Sequence, residues 1–231
     1  MKYFCLIDDV SCLDIGIKII SRVNIPVAQR DVEEIDIEGR NGSLIRDKGR
    51  WLDKEITIAF NFIDRYNFTA KCRWISKWLR GSKLKFSDDL GVFYKIKKVE
   101  CEDIQRSLRY KGSFSVKFTV DSFAWLEDGQ NIITLSSRAK LLNVGTYESK
   151  PILKVYGSGS IDLFVNSTEI NLNNVSDYVT IDSMIMDCYK DEMNANSQMS
   201  GEFPVLQEGE NSITWSGNIN KIEITPNWVY L

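Results

Sequence analysis

Histidine is missing from the 231-residue chain, and proline and cysteine are scarce. Histidine most often shuttles protons near neutral pH and ligates metals, so histidine triads, Cys–His dyads and His-ligated zinc are excluded. The five cysteines include no C-x-x-C pair, which predicts neither a disulfide framework nor a four-cysteine zinc site. The apolar run at residues 3–7 ends at Asp8 and Asp9, too short for a signal peptide or a membrane span. We therefore expect synthesis in the cytoplasm, a soluble protein and no membrane partner.

The composition that remains is globular, with 43% apolar and 26% charged residues. Charge is uneven about a polar stretch at residues 127–130: residues 1–130 hold 23 basic and 20 acidic residues, and 131–231 hold 6 and 12. This shift and the length predict two domains, 1–130 and 131–231. The first is too weakly basic, and lacks a dense Lys/Arg stripe, so no stable nucleic-acid binding is expected.

Period-2 alternation dominates the first half and predicts half-buried strands, for example at Ile35 and Ile37 and again along residues 56–62. Between these strands, residues 38–44 are polar and contain glycine. Asn41-Gly42 is a dipeptide that accepts the positive φ of a hairpin tip. We predict a long β-hairpin or projecting loop here.

One segment has helical periodicity. Phe68, Cys72, Ile75 and Leu79 recur at spacings of four, three and four, which predicts an amphipathic helix over about 67–80. Asn67 or Thr69 would cap its start and Gly81 fits its end. The opposite face carries two tryptophans and four basic residues: Trp74, Trp78, Lys71, Arg73, Lys77 and Arg80. These charges are either merely solvated or form a contact surface.

The second half shows short strand patterns separated by turn residues about every ten positions, and no helical stripe. Residues 157–160, GSGS, have the size of a hairpin loop between strands 152–156 and 161–165. The fold class predicted is mainly β, with two β-sandwich domains. The first contains one helix, and the second is of jelly-roll or lectin type.

No chemistry is signalled by the motifs. The dipeptide Gly-Lys of a phosphate-binding loop is absent, and the GSG start of a dinucleotide pattern has no following helix. Carboxylate doublets occur at 8–9, 33–34, 88–89 and 191–192, but neighbours in a strand point to opposite faces. We nominate no catalytic, cofactor-binding or metal-binding residue, expect no cofactor, and favour a structural or binding protein over an enzyme.

Several segments, in order, resemble one known family. They are residues 38–44 (EGRNGSL), 78–79 with 84–89 (WL and LKFSDD), 143–151 (NVGTYESKP), 181–183 (IDS), 199–206 (MSGEFPVL), 208–217 (EGENSITWSG) and 222–226 (IEITP). Together they resemble the siphophage distal tail protein family, whose loop usually has Asp where Asn41 stands.

The resemblance implies a structural virion protein at the distal end of the tail. It would form a homo-hexameric ring that connects the tail tube protein to tail-tip or tail-associated proteins and to receptor-binding proteins. Its second domain would be galectin-like. For the ring contact we nominate Gly39, Arg40, Asn41, Gly42 and Leu44 at the predicted hairpin. The alternative is a glycan-recognition module that contacts the host surface. Since two sandwiches fill the chain, we expect no strong sugar binding.

Overall fold

The computed structural model describes residues 2–231, which divide into two compact units, one ending at Ala124 and the other spanning Trp125–Tyr230. Both units are built from antiparallel strands, and one α-helix occurs among the described residues. The mainly-β fold class with β-sandwich domains and one helix is confirmed. The boundary at residue 130 and the galectin-like shape of the second domain stay predictions.

The first unit contains strands β1 to β10 and helix α1. Their bounds are β1 (Cys5–Ile7), β2 (Val10–Ser11), β3 (Ile17–Ile19), β4 (Arg30–Ile35), β5 (Leu44–Trp51), β6 (Lys54–Ile63), α1 (Phe68–Trp78), β7 (Lys83–Phe86), β8 (Asp89–Cys101), β9 (Gln105–Leu108) and β10 (Lys111–Val120). The strand order is β2-β1-β7-β8-β10-β6-β3, while β4 and β5 form a separate two-stranded sheet.

Helix α1 has the predicted apolar face, but one tryptophan predicted on the opposite face is buried. The Asn67 side chain accepts a hydrogen bond from the Ala70 amide at 2.9 Å, so Asn67 is the cap. Ile75 is fully buried, whereas Trp74 is 60% exposed. Trp78, predicted on the solvent face, is buried because its ring packs edge-on against Phe60 at 6.0 Å.

The second unit holds the remaining strands. After β11 (Ala124–Leu126), where the units adjoin in sequence, come β12 (Ile133–Leu135), β13 (Ala139–Asn143), β14 (Ile152–Val165), β15 (Thr168–Val175), β16 (Tyr178–Asp182), β17 (Asp187–Lys190), β18 (Met193–Asn194), β19 (Met199–Gly201), β20 (Gly209–Thr225) and β21 (Val229–Tyr230). Strands β12-β20-β14-β16-β17-β18 follow one another across its sheet, β13 pairs with β20, and β15 pairs with β14 and β19.

The predicted hairpin loop at residues 157–160 is wrong. Strand β14 runs through it without reversing, and the register against β20 shifts there, which marks a bulge. A Cβ on Gly157 would lie 2.3 Å from the Asn218 carbonyl oxygen, so glycine permits close strand contact. Likewise, Ser216, Gly217 and Asn218, which are among the residue types that predicted turns in this half, lie inside β20, where Gly217 has φ +95°. The unit is therefore built on two long bent strands.

Candidate assembly surface

The nominated contact residues lie on a hairpin that shares no sheet with the rest of its unit. Strands β4 and β5 pair antiparallel, with Ile35 opposite Leu44 and Glu33 opposite Arg46. Every residue of β5 except Trp51 is exposed, and so are most residues of β4. The predicted long hairpin is therefore present.

The tip is built by two glycines in the left-handed region. The Arg40 amide donates to the Ile37 carbonyl at 3.1 Å, closing a four-residue turn with Gly39 at its third position and φ +78°. Gly42 also has a positive φ, +80°, as the Asn41-Gly42 dipeptide predicted. All five nominated residues are exposed and lie together at this tip. Their role in a ring contact stays a prediction.

The base of the hairpin is held by ion pairs between its two strands. The Asp31 carboxylate contacts the Arg50 guanidinium at 2.6 Å and the Lys48 ammonium at 3.3 Å, and Asp47 contacts Arg30 at 2.6 Å. The hydrogen bond from Arg50 chiefly lowers the pKa of Asp31. The pKa of Asp47 is also lowered, mostly by the hydrogen bond from the Gly49 amide and secondly by the one from Arg30. These charged contacts fix the register of the two strands.

Apolar side chains on the hairpin are open to solvent. Val32 and Leu44 are each 43% exposed, Ile37 is 44% exposed and Ile45 is 62% exposed. The predicted burial of a face bearing Ile35 and Ile37 is wrong within the described residues, because Ile35 is half-buried and Ile37 is exposed on a two-stranded sheet that pairs with no other strand. Leu44 lies opposite Ile35 and Ile45 lies opposite Glu34, so both faces of the hairpin present exposed apolar side chains. Several exposed apolar side chains on one element are typical of an interaction site.

The carboxylate doublet at residues 8–9 has a structural explanation. Asp8 and Asp9 have φ +46° and +65°, the two left-handed positions of the tight turn that joins β1 to β2. The Asp8 carboxylate accepts hydrogen bonds from the amides of Ser82 and Lys83.

Among residues 2–231, no group of three or more Cys, Asp or Glu residues could hold a metal ion. Within the same residues, no helix is long and apolar enough to cross a membrane.

A second exposed surface borders helix α1, and the sequence indicated only its charged part. A groove of about 400 Å³ lies between the helix and the β1–β2 turn, lined in part by Val10, Ile15, Trp74 and Lys77. The Trp78 indole N–H donates to the Val10 carbonyl at 2.9 Å and so fixes the far wall. Sequence periodicity placed the basic residues on the helix. Val10 lies in β2 and Ile15 in the turn that follows it, both distant in sequence from the helix, and neither carries a signal of its own.

Comparison with known proteins establishes the fold. No protein-family model matches the chain, and no curated protein sequence matches it. Among solved structures, the chain is similar to the crystal structure of the SPP1 Dit (gp 19.1) protein, described as "a Paradigm of Hub Adsorption Apparatus in Gram-positive Infecting Phages". The TM-score is 0.70 at 9% sequence identity, over 97% of this chain and 98% of that chain. The fold implied by the family resemblance is confirmed.

Proposed function

We propose that this chain is a distal tail protein: a structural hub that forms a homo-hexameric ring and connects the tail tube of a long-tailed phage or phage-like particle to the tail tip or baseplate. The observation that carries the proposal is the likeness to the Dit hub protein over 97% of this chain. A match to one sandwich domain alone would be weak evidence for a shared function, because sandwich folds support many functions. Here both units match within one alignment.

The exposed hairpin supplies a physical means of closing a ring. A ring uses head-to-tail interfaces, in which an element of one subunit meets a different surface of the next. The β4–β5 hairpin is such an element, since Leu44 and Ile45 are exposed in the single chain and gain burial only against another molecule. The nominated tip residues Gly39, Arg40, Asn41, Gly42 and Leu44 would make the contact.

The proposal includes a place and partners. The protein would be synthesised in the cytoplasm of the bacterial host and would lie at the distal end of the virion tail. It would contact the tail tube protein on one side and tail-tip, tail-associated or receptor-binding proteins on the other. It would join them by surface complementarity, without enzymatic activity.

The test is the mass and shape of the purified chain. We expect a ring with an open centre in electron micrographs and six times the 26.6 kDa subunit mass by mass photometry. Substituting Arg40→Ala with Leu44→Ala should shift the mass toward monomers. The matched control, Leu108→Ala with Arg109→Ala, alters an exposed Leu and Arg in the β9–β10 hairpin and should leave the ring intact. Unchanged ring mass in the first variant would remove the hairpin from the proposal.

The alternative, a glycan-recognition module, makes the opposite prediction. A glycan binder should be a monomer or trimer and should bind host cell-wall polysaccharide saturably. A hub should give the ring and show no saturable binding in a glycan array or a cell-wall pull-down. A monomer or trimer that binds one polysaccharide would replace the hub proposal with the alternative.

A further inference from the structure

The groove beside helix α1 presents an apolar floor to solvent. Trp74 is 60% exposed and Val10 is 44% exposed, and Ile7, Ile15 and Trp78 complete the apolar lining. Large apolar side chains grouped around one concave surface favour burial by another molecule. A large aromatic residue such as Trp74, once covered, contributes strongly to an interface.

The rim of the groove is basic and its charges are unneutralised. Lys77 and Arg80 line the groove, and Lys71 and Arg73 lie on the same helix face or beside it. None of these four has an ion-pair partner among residues 2–231. Lys77 lies 5.2 Å from the centre of the Trp74 ring, so it adds positive charge directly over the apolar floor.

The one carboxylate in the groove lining is already bound. Asp8 accepts hydrogen bonds from the Ser82 amide at 3.0 Å and the Lys83 amide at 2.9 Å. Its charge is therefore largely compensated within the turn. The groove as a whole suits a ligand that is both apolar and acidic.

The same chain carries a segment of that chemistry. Residues 31–38, DVEEIDIE, contain five acidic and three apolar residues and form β4 and the first part of the hairpin tip. Glu34, Asp36 and Glu38 are exposed and have no ion-pair partner among residues 2–231. Ile37, which is 44% exposed, lies between Asp36 and Glu38 in the sequence.

The β4–β5 hairpin does not line the α1 groove of its own chain, but it is long enough to contact the α1 groove of a second copy. No residue of β4, β5 or the tip belongs to the described groove lining. With eight residues in β5, the hairpin extends about 26 Å at roughly 3.3 Å per residue. That length is close to the roughly 30 Å diameter of a small domain.

We propose that the acidic-apolar edge of the hairpin, residues 31–38, docks into the basic α1 groove of a second copy of this chain. The inference rests on the proposed function and names the receiving surface of its ring. Docking would cover Trp74 and Val32, which lies on the same face of β4 as Glu34, and would place Glu34, Asp36 and Glu38 against Lys77 and Arg80. Hairpin and groove are different surfaces, so the contact is head-to-tail, and its repetition with a rotation that closes would form the proposed ring.

The test uses charge reversal on each surface in the full chain. The groove variant is Lys77→Glu with Arg80→Glu, and the hairpin variant is Glu34→Lys with Asp36→Lys. Each variant then presents like charges on the two contacting surfaces, which oppose association. At low ionic strength, where screening is weak, we expect each variant alone to raise the subunit concentration needed for half-assembly at least about tenfold, as a charge-pair loss of 1.4 kcal/mol or more would.

Mixing the two variants gives the decisive result. In a one-to-one mixture, the acidic hairpin of the groove variant faces the basic groove of the hairpin variant, and the basic hairpin faces the acidic groove. Every contact of an alternating ring is then complementary. We expect the mixture to regain the wild-type ring mass, with equal amounts of both variants by native mass spectrometry. A variant that is merely misfolded would not be rescued in this way.

The outcomes separate the inference from the function. The control, Arg109→Glu with Lys111→Glu, reverses two exposed charges distant in sequence from the helix and should assemble as wild type. If wild type forms rings and the groove variant forms them equally well, the inference is wrong and the hub proposal stands. If both variants lose the ring but their mixture does not recover it, the proposed pairing of hairpin and groove is wrong. A wild type that never associates overturns both.

Discussion

Asn211 holds together the segment that leads into β20 of the second unit. It is fully buried, and its side chain accepts hydrogen bonds from the Gln207 amide and the Asn166 side chain, both at 2.8 Å. It also donates to the carbonyls of Gln207 and Gly209. No hydrophobic side chain can replace these partners, so the family-like EGEN segment requires asparagine for folding and not for a ligand.

Substituting Asn211→Ala should therefore lower the free energy of unfolding by about 2–3 kcal/mol, because several buried partners lose their hydrogen bonds at once. Urea denaturation followed by circular dichroism measures the change. Asn218→Ala is the control, since the Asn218 side chain is exposed and donates a hydrogen bond to the exposed Ser158 hydroxyl at 2.7 Å. A loss below about 0.5 kcal/mol in Asn211→Ala, within the range of ordinary surface changes, would contradict the assignment.

Local sequence predicts backbone conformation here better than it predicts partners. Gly209 and Asn211 suit a turn, and Gly209 indeed has φ +83°. The contact with Asn166 joins residues 45 positions apart, and only the assembled β14–β20 pair brings them together. The sequence offers Asn67 as one of two helix caps because the partner of a cap, here the Ala70 amide, is only three residues away.

At the scale of elements, strands β14 and β20 show what a glycine-rich segment cannot specify by itself. GSGS fits a hairpin turn and a bulge equally well, and the choice depends on the neighbouring strand. Gly157 meets the Asn218 carbonyl, whereas Gly159 has φ +78° and nothing within 4 Å of a built Cβ. The alternation of apolar residues was therefore predicted correctly, while the continuity of the strand was not.

The two glycines give a matched pair of substitutions. Gly157→Ala places a methyl group against backbone and should destabilise the protein by about 3 kcal/mol, at the upper end for overpacking. Gly159→Ala meets only the left-handed backbone penalty of about 1 kcal/mol. Thermal unfolding by calorimetry compares them. Equal destabilisation of the two variants would show that the bulge contact is not what excludes a side chain at Gly157.

The β4–β5 hairpin should lose order in acid before the sandwich cores do. Because the pKa of Asp31 is lowered by Arg50, its ion pair stabilises the hairpin above the ordinary Asp pKa of about 3.9, and this contribution is lost as the pH falls through the lowered value. NMR cross-peaks of residues 44–51 should therefore broaden or shift as the pH falls below about 4. Asp31→Asn should reproduce the change at neutral pH, whereas Asp36→Asn, without an ion pair, should not. An acid-insensitive hairpin would refute this.

At the scale of the whole molecule, the sequence predicted the fold class because buried strands alternate regardless of their order in the sheet. Ile56, Ile58 and Phe60 are fully buried, as their spacing indicated. The same spacing at Ile35 and Ile37 predicted burial that the single chain does not provide. In a subunit of a larger assembly, such a strand face would be covered by a neighbouring subunit. The exposed Ile37 therefore agrees with the proposed ring.

Each unit has its own apolar core, so the division of the chain can be tested with fragments. Leu126 is buried in the core of the second unit, and its amide donates to the Trp228 carbonyl at 3.0 Å. The Asn227 amide donates to the Gly129 carbonyl at 2.8 Å. A fragment that starts at residue 131, the boundary predicted from composition, lacks these groups, whereas one that starts at Trp125 retains them.

We therefore expect the fragment 125–231 to unfold cooperatively and the fragment 131–231 to be less stable by at least about 2 kcal/mol, the contribution of one buried leucine. Leu126→Ala within the longer fragment isolates that side chain and should account for most of the difference. Urea unfolding of all three measures it. If the two fragments are equally stable, residues 125–130 act as a linker, and the boundary lies at 130 as the charge distribution first indicated.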